Sequence, residues 1–178
     1  MKEVFVQALK GRAFEYTVIP TVNINFSPEL LKACESNVCG SYNKCWTCPP
    51  GIGPLEDQMQ KIKAFSSIFV FTTKACLEDS FDHEGMVKAK EYHNRLTGEM
   101  HEQFGKTNPV FGAGACKVCA ADIAQACAYP EPCRFPDKKF SSVEAAGINV
   151  TELSMAGGIK YNNGPNTITY FSMILFNE

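Results

Sequence analysis

The sequence has no long hydrophobic run: nothing in it approaches the roughly 18 uninterrupted apolar residues of a membrane-spanning helix. It also lacks an excess of either charge, since 17 Lys and Arg stand against 19 Asp and Glu for a formal net charge of -2. That balance offers no electrostatic case for nucleic acid or for an anionic membrane as partner. The opening stretch Met1 to Lys10 is too short an apolar run, and too soon followed by charge, for a signal peptide, so a cytoplasmic protein is expected. Ready-made catalytic motifs are missing as well: no P-loop, no dinucleotide fingerprint, no zinc-protease HExxH and no nucleophile elbow. Gly112-x-Gly114 precedes cysteines rather than a helix with a third glycine, and reads as close backbone approach to a bound group. No catalytic residue is assigned. Histidine is scarce, and His83, His93 and His101 are spaced so that they do not share a helix face; all three are expected at the surface.

What the sequence does have is nine cysteines. In a reducing compartment an odd count of thiols points to metal ligation rather than to disulfides. Eight of the nine fall into two groups. Cys34, Cys39, Cys45 and Cys48 lie in a stretch punctuated by Gly40, Pro49, Pro50, Gly51 and Gly53, hence a loop. Cys116, Cys119, Cys127 and Cys133 lie in a second stretch with Gly112 and Gly114 before it and Pro130, Pro132 and Pro136 around its end. Cys76 stands alone and is expected to be a small buried residue.

The rest of the chain, 178 residues long, alternates strand and helix patterns and suits one domain covering residues 1–178. Glu15 to Phe26 is rich in β-branched and aromatic residues but contains Pro20, so an edge strand or a broken one is expected. Ser27-Pro28-Glu29 starts a helix running to about Cys34. Apolar residues at 55, 59, 62 and 65 predict another helix, and Ser67 to Thr73 a strand buried on both faces. Asp82 to Lys106 is the longest helical segment, possible to bend at Gly98, and Asn108-Pro109 closes it. Val110 to Ala115 predicts a strand delivering Cys116 to its carboxyl end, where ligands sit in open α/β sheets. Two short helices, from Ser141 to Gly147 and from Thr151 to Gly157, precede a terminal hairpin turning at Asn162-Asn163-Gly164. The expected fold is α/β: a mixed sheet flanked by helices, with two cysteine-rich loops at one edge.

Cys116-x2-Cys119 is the chelating unit, two thiolates one helical turn apart. A straight helix from Cys119 to Cys127 would rise about 12 Å, too far for ligands of one site, so that helix must be short or the chain must fold back. Pro130 and Pro132 stiffen the approach of Cys133. Four thiolates serve zinc and [4Fe-4S] alike by ligand count, while the uneven spacing of 2, 7 and 5 residues favours a cluster over a zinc ribbon. Lys117, Arg134, Lys138 and Lys139 flank the group as counter-charge or as a docking surface for a redox protein, with an ordinary solvated face as the alternative. The Cys34 to Cys48 loop, with its own x2 pair and a Cys-Pro step, reads as a second metal site.

Cys34-x4-Cys39-x2-Tyr42 leading to Cys48-Pro-Pro, then Gly114-Ala-Cys116-Lys-Val-Cys119, Cys133-Arg-Phe-Pro136, Ser142-Val-Glu-Ala145 and Gly147-Ile-Asn-Val150, together resemble a family of small prokaryotic predicted metal-binding proteins, a domain of unknown function common in anaerobes. The resemblance spans nearly the whole chain. It implies cysteine-bound metal, iron–sulfur first, with no established reaction. It also implies that Cys34, Cys39 and Cys48 are ligand positions and that Cys45 stands where the family commonly has another residue. Three cysteines on a cubane would leave one iron open to a small ligand. The function expected is therefore a carrier of one or two [4Fe-4S] clusters in electron transfer or as a redox subunit. The alternatives are an enzyme or activator working through an open iron, and a zinc-stabilised binding module.

Overall fold

Two runs dense in β-branched and aromatic residues form the centre of the computed structural model, which describes residues 1–178. Strand β2 (Ser67–Cys76) and strand β4 (Thr167–Phe176) pair antiparallel along their whole length, from Ser67 opposite Phe176 to Cys76 opposite Thr167. Strand β1 (Tyr16–Pro20) lies on the outer side of β2 and the short strand β3 (Val110–Phe111) on the outer side of β4, giving the order β1-β2-β4-β3. Pro20 ends β1 on an edge, where its missing N–H costs no ladder bond. The sheet is antiparallel through all its named strands; the parallel component expected of a mixed sheet is the single bridge between Gly112 and Ser142. The rule that ligands sit beyond the carboxyl ends of parallel strands therefore does not place the site here.

Alternation along β2 and β4 builds two cores. On one face Ile68, Val70, Phe171, Met173 and Leu175 pack with Ile62 of helix α3 (Leu55–Lys63), Leu153 of the later helix Val150–Ala156, and Val143, Ala146 and Ile148. On the other, Phe69, Phe71, Ile174 and Phe176 pack with Phe5 and Leu9 of helix α1 (Lys2–Leu9) and with Leu96, Met100 and Phe104. Those last three belong to the 22-residue helix His83–Phe104, which runs unbroken through Gly98 and is capped by the Asp82 carboxylate accepting from the Gly85 amide at 2.7 Å. The sequence pattern does not mark the N-terminal helix as an element; Phe5 anchors it, with ring centroids 5.0 Å from Phe104 and 5.3 Å from Phe69. No helix is long and apolar enough to cross a membrane.

Three local expectations need correction. Ser141 to Gly147 forms a tight turn, not a helix: Ser142 Oγ accepts from the Ala145 amide at 3.1 Å, and Gly147 reverses the chain at φ +81°. Ile159 to Tyr161 forms no strand; the Ile159 amide instead returns to the Ser154 carbonyl at 3.0 Å, closing the helix before it. Cys76 is exposed at the end of β2, apart from both cysteine groups.

His93 is the largest departure. His83 is exposed and His101 half-buried, but His93 is fully buried against the sheet, with Nδ1 2.9 Å from Thr73 Oγ1 and Nε2 2.7 Å from Ser172 Oγ. Two hydroxyls satisfy both ring nitrogens, so the imidazole is tolerated in the core. Burial holds it neutral, down to about 4 from the ordinary 6.5, with the Phe171 backbone opposing weakly. The unfolded chain takes up this proton below the ordinary value while the fold does not. The neutral ring is accommodated without penalty above pH 6.5, and stability falls as pH drops from there towards 4, by about 1.4 kcal/mol per unit and roughly 3 kcal/mol in all. Urea midpoints across this range should fall for the native chain and fall less steeply for His93→Gln; parallel slopes would remove His93 as the cause.

Candidate metal centre

The site is built by two loops that lock onto each other above the sheet. Helix α2 (Pro28–Glu35) carries Cys34 in its last turn, and the chain from Ser36 to Pro54 forms no further helix or strand. Within it the Cys48 amide donates to the Cys45 carbonyl at 3.2 Å and the Ile52 amide to the Cys48 carbonyl at 3.0 Å, so successive turns bring Cys45 and Cys48 together. Gln58 Nε2, buried on α3, donates to the Ile52 carbonyl at 2.8 Å and ties the end of the loop to the helix that follows.

The second loop leaves the sheet at Gly112. A Cβ there would lie 2.7 Å from the Phe140 ring and 3.1 Å from Thr97 Cγ2, so only glycine fits where β3 passes the long helix. The chain then reaches Cys116 and the helix Val118–Ile123, which stops after six residues at Ala124 in the left-handed conformation, φ 51°. The Gln125 amide donates back to the Cys119 carbonyl at 3.1 Å. This reversal is the short helix and fold-back that the spacing of Cys119 and Cys127 requires. Arg134 Nη1 donates to the Ala126 carbonyl at 2.9 Å and draws the Cys127 and Cys133 segments together.

Three contacts join the loops. The Cys116 amide donates to Thr47 Oγ1 at 3.2 Å, Trp46 Nε1 donates to the Glu131 carbonyl at 2.8 Å, and the Trp46 and Tyr129 rings meet edge to face at 5.0 Å. The result is a half-open cavity of about 190 Å³ lined by Cys116, Cys119, Cys127, Cys133 and Cys45. Cys45 thus faces the second group from the cavity wall while its thiol also lies against Cys48, which in turn is close to Cys39 and Cys34. The Cys45-x2-Cys48 spacing brings these two thiols together, whereas the family pattern uses Cys34, Cys39 and Cys48 and commonly has another residue in place of Cys45.

Electrostatics follow the same division. The Cys45 thiol is pushed down to about 5, first by the Cys48 thiol against it; burial opposes, and the Thr47 hydroxyl 3.1 Å from its sulfur and the Cys127 thiol assist. Cys48 is pushed up in turn, first by sharing its proton with Cys45, then by burial and by Cys39 and Cys34. Cys116 is raised to about 11, mainly by burial, with the Val118 amide opposing and Cys45, Cys127 and Cys133 adding repulsion. Cys34 is raised by burial and then by Cys39 and Glu144. No three His, Cys, Asp or Glu side chains stand close enough to grip a single ion; the thiols surround a space rather than a point. Of the basic residues, Lys138 is paired with Asp122 at 2.7 Å and Arg134 is held by Ala126, whereas Lys44, Lys117 and Lys139 line the cavity with no carboxylate among them.

Gly51 sits where the loops are tightest: a Cβ would lie 2.6 Å from the Cys45 carbonyl oxygen and 3.0 Å from the Tyr129 ring. Gly51→Ala is expected to cost about 1–3 kcal/mol, as overpacking does. It should also shift the emission of Trp46, the single tryptophan. Denaturant unfolding followed by fluorescence checks both, and an unchanged midpoint would mean that the loops are not packed in this way.

No curated protein and no solved structure matches the chain. A family model described as Predicted metal-binding protein (DUF2284) matches residues 17–176, taking in both cysteine groups and nearly the whole sheet. A sulfur-lined cavity fed by two interlocked loops is in keeping with that description, and the chain belongs to this family of predicted metal-binding proteins.

Proposed function

We propose that the protein carries one or two [4Fe-4S] clusters and serves in electron transfer or as a redox subunit. The observation that carries this reading is the cavity itself. A structural zinc ion draws four sulfurs to about 2.3 Å and leaves no space among them. Five cysteines here line, among 18 residues, a half-open cavity of about 190 Å³, more room than a single ion takes. Thiolates are also the usual protein ligands of such clusters, which take up and release single electrons. Cys116, Cys119, Cys127 and Cys133 would hold the cluster in the cavity, with Cys45 as the fifth sulfur on its wall.

Cys34, Cys39 and Cys48 form the second site, and Cys45's orientation favours a second reading for it. With three sulfurs in place of four, a cubane on this group has one iron without a cysteine, which suits an enzyme or activator that binds a small ligand there. The three lysines on the cavity rim support an acidic redox protein as partner, drawn by complementary charge.

Protein purified anaerobically is expected to contain about four or eight iron with matching sulfide per chain, and its visible absorption to bleach with dithionite. Stoichiometric zinc in a colourless protein that unfolds on chelation would replace this reading with that of a zinc-stabilised module. Cys45→Ser should keep the iron of the Cys34, Cys39 and Cys48 group while altering the spectrum of the cavity group. Loss of the former with the latter intact would reverse the assignment of Cys45.

A further inference from the structure

The run Cys45-Trp46-Thr47-Cys48 closes a hydrogen-bonded turn: the Cys48 amide donates to the Cys45 carbonyl at 3.2 Å, with Trp46 and Thr47 as the central residues. Such a turn brings its first and fourth Cα atoms within about 7 Å, and a disulfide spans Cα atoms roughly 4.4–6.8 Å apart. The backbone alone therefore holds the two thiols within range of one disulfide. Thr47 orients the first of them. Its hydroxyl oxygen accepts from the Cys116 amide at 3.2 Å, so its own proton is free to point at the Cys45 sulfur 3.1 Å away. The pair is also asymmetric. Cys45 lines the half-open cavity and Cys48 does not, so a molecule entering the cavity meets the Cys45 sulfur with Cys48 behind it. Cys45 is, in addition, the cysteine left over when four sulfurs are assigned to the cavity and three to the first group.

We propose that Cys45 and Cys48 are a redox-active dithiol that reduces small anionic disulfides entering the cavity. The Cys45 thiol gives its proton to solvent and its sulfur attacks one sulfur of the incoming disulfide. That S–S bond breaks, and one half leaves as a thiol with a proton from solvent. Cys48 then attacks the Cys45 sulfur of the mixed disulfide in the same way and releases the second half. Two protein thiols are oxidised to one disulfide, one small disulfide is reduced to two thiols, and two electrons pass between them. The charge of the substrate follows from the rim, where Lys44, Lys117 and Lys139 line the cavity and no carboxylate does. The sulfur-bearing end enters while its carboxylates stay at these ammonium groups, which raises the rate of encounter. The inference goes beyond the metal reading and does not rest on it, since it requires only that both thiols be free of metal.

The test uses the full chain, reduced, freed of metal by a chelator and kept anaerobic, with glutathione disulfide as the anionic probe and cystamine as a cationic one. Trypsin cuts after Lys44 and Lys61 and releases both thiols in one peptide, residues 45–61, which holds no other cysteine. After acid quenching and alkylation of the remaining thiols, that peptide is expected unalkylated and lighter by two hydrogens. Cys48→Ser should trap one glutathione on Cys45, and Cys45→Ser should leave Cys48 unmodified over the same time. In low salt, glutathione disulfide is expected to react about tenfold faster than cystamine, each rate being divided by its rate with the chain unfolded in urea. Added salt, or Lys117→Ala with Lys139→Ala, should remove most of that preference. A peptide 45–61 recovered fully alkylated would overturn the dithiol, and it decides the matter even if a serine variant does not fold. Glutathione trapped on Cys48 in Cys45→Ser would overturn the order of attack, and equal relative rates for the two probes would overturn the anionic substrate.

Discussion

Thiolates gathered in a half-buried space repel one another, and the rest of this structure is arranged around that repulsion. Burial and neighbouring sulfurs push Cys34, Cys48 and Cys116 up, and only Cys45, which has a thiol and a hydroxyl directed at it, is pushed down. Without a cation, Cys34, Cys48 and Cys116 keep their protons. A bound metal inverts the balance, since coordination deprotonates a thiol and turns mutual repulsion into shared attraction. The sulfurs are therefore not what holds the site together in its metal-free form. That task falls to uncharged contacts between the loops, Trp46 to Glu131, Thr47 to the Cys116 amide and Gln58 to Ile52, which survive whether or not the thiols are ionised.

Those contacts hold position because the platform beneath them is apolar and dense. The inner residues of β2 and β4 are fully buried, and the turn from Ser142 to Ile148 inserts Val143, Ala146 and Ile148 into the same core. Burying each such branched side chain stabilises the fold by about 1.5–3 kcal/mol, more than any single hydrogen bond in the loops contributes. The isolated bridge from Gly112 to Ser142 fastens this turn to the strand that delivers Cys116. One rigid segment thus registers the second loop against the sheet and the first loop against both.

The elements that are legible in the sequence are those whose pattern is local. Ser67 to Thr73 reads as a buried strand because both faces are covered, and the stripe at Leu55, Met59, Ile62 and Phe65 reads as a helix because its period is helical. The two cysteine groups are equally plain, since ligand chemistry shows in residue type alone. What is not legible depends on partners distant in sequence. His93 carries the composition of a surface residue and is buried only because Thr73 and Ser172 arrive from two other elements to satisfy it. Helix α1 is short and weakly patterned, and Phe5 gains its place from Phe69 and Phe176, more than sixty residues away. The orientation of Cys45 belongs to the same class. Spacing pairs it with Cys48, and the two thiols do lie together; its place on the cavity wall comes from Thr47 and Trp46, which are bonded across to the second loop.

That placement decides how the two groups relate. In two-cluster ferredoxins a single cysteine run is divided, its fourth member ligating the other cluster. Here Cys45 lines the cavity of the second group while its thiol lies against Cys48, which is followed by proline and lies near Cys39 and Cys34. Two residues of chain separate the groups, and the proton shared by Cys45 and Cys48 bridges them. At an effective dielectric of about 20, two unit charges about 4 Å apart interact by about 4 kcal/mol. Ionising Cys45 therefore raises Cys48 beside it, the direction in which Cys48 is pushed. The thiols of Cys45 and Cys48 lie against each other, so the four residues Cys45-Trp46-Thr47-Cys48 are where the two cysteine groups meet.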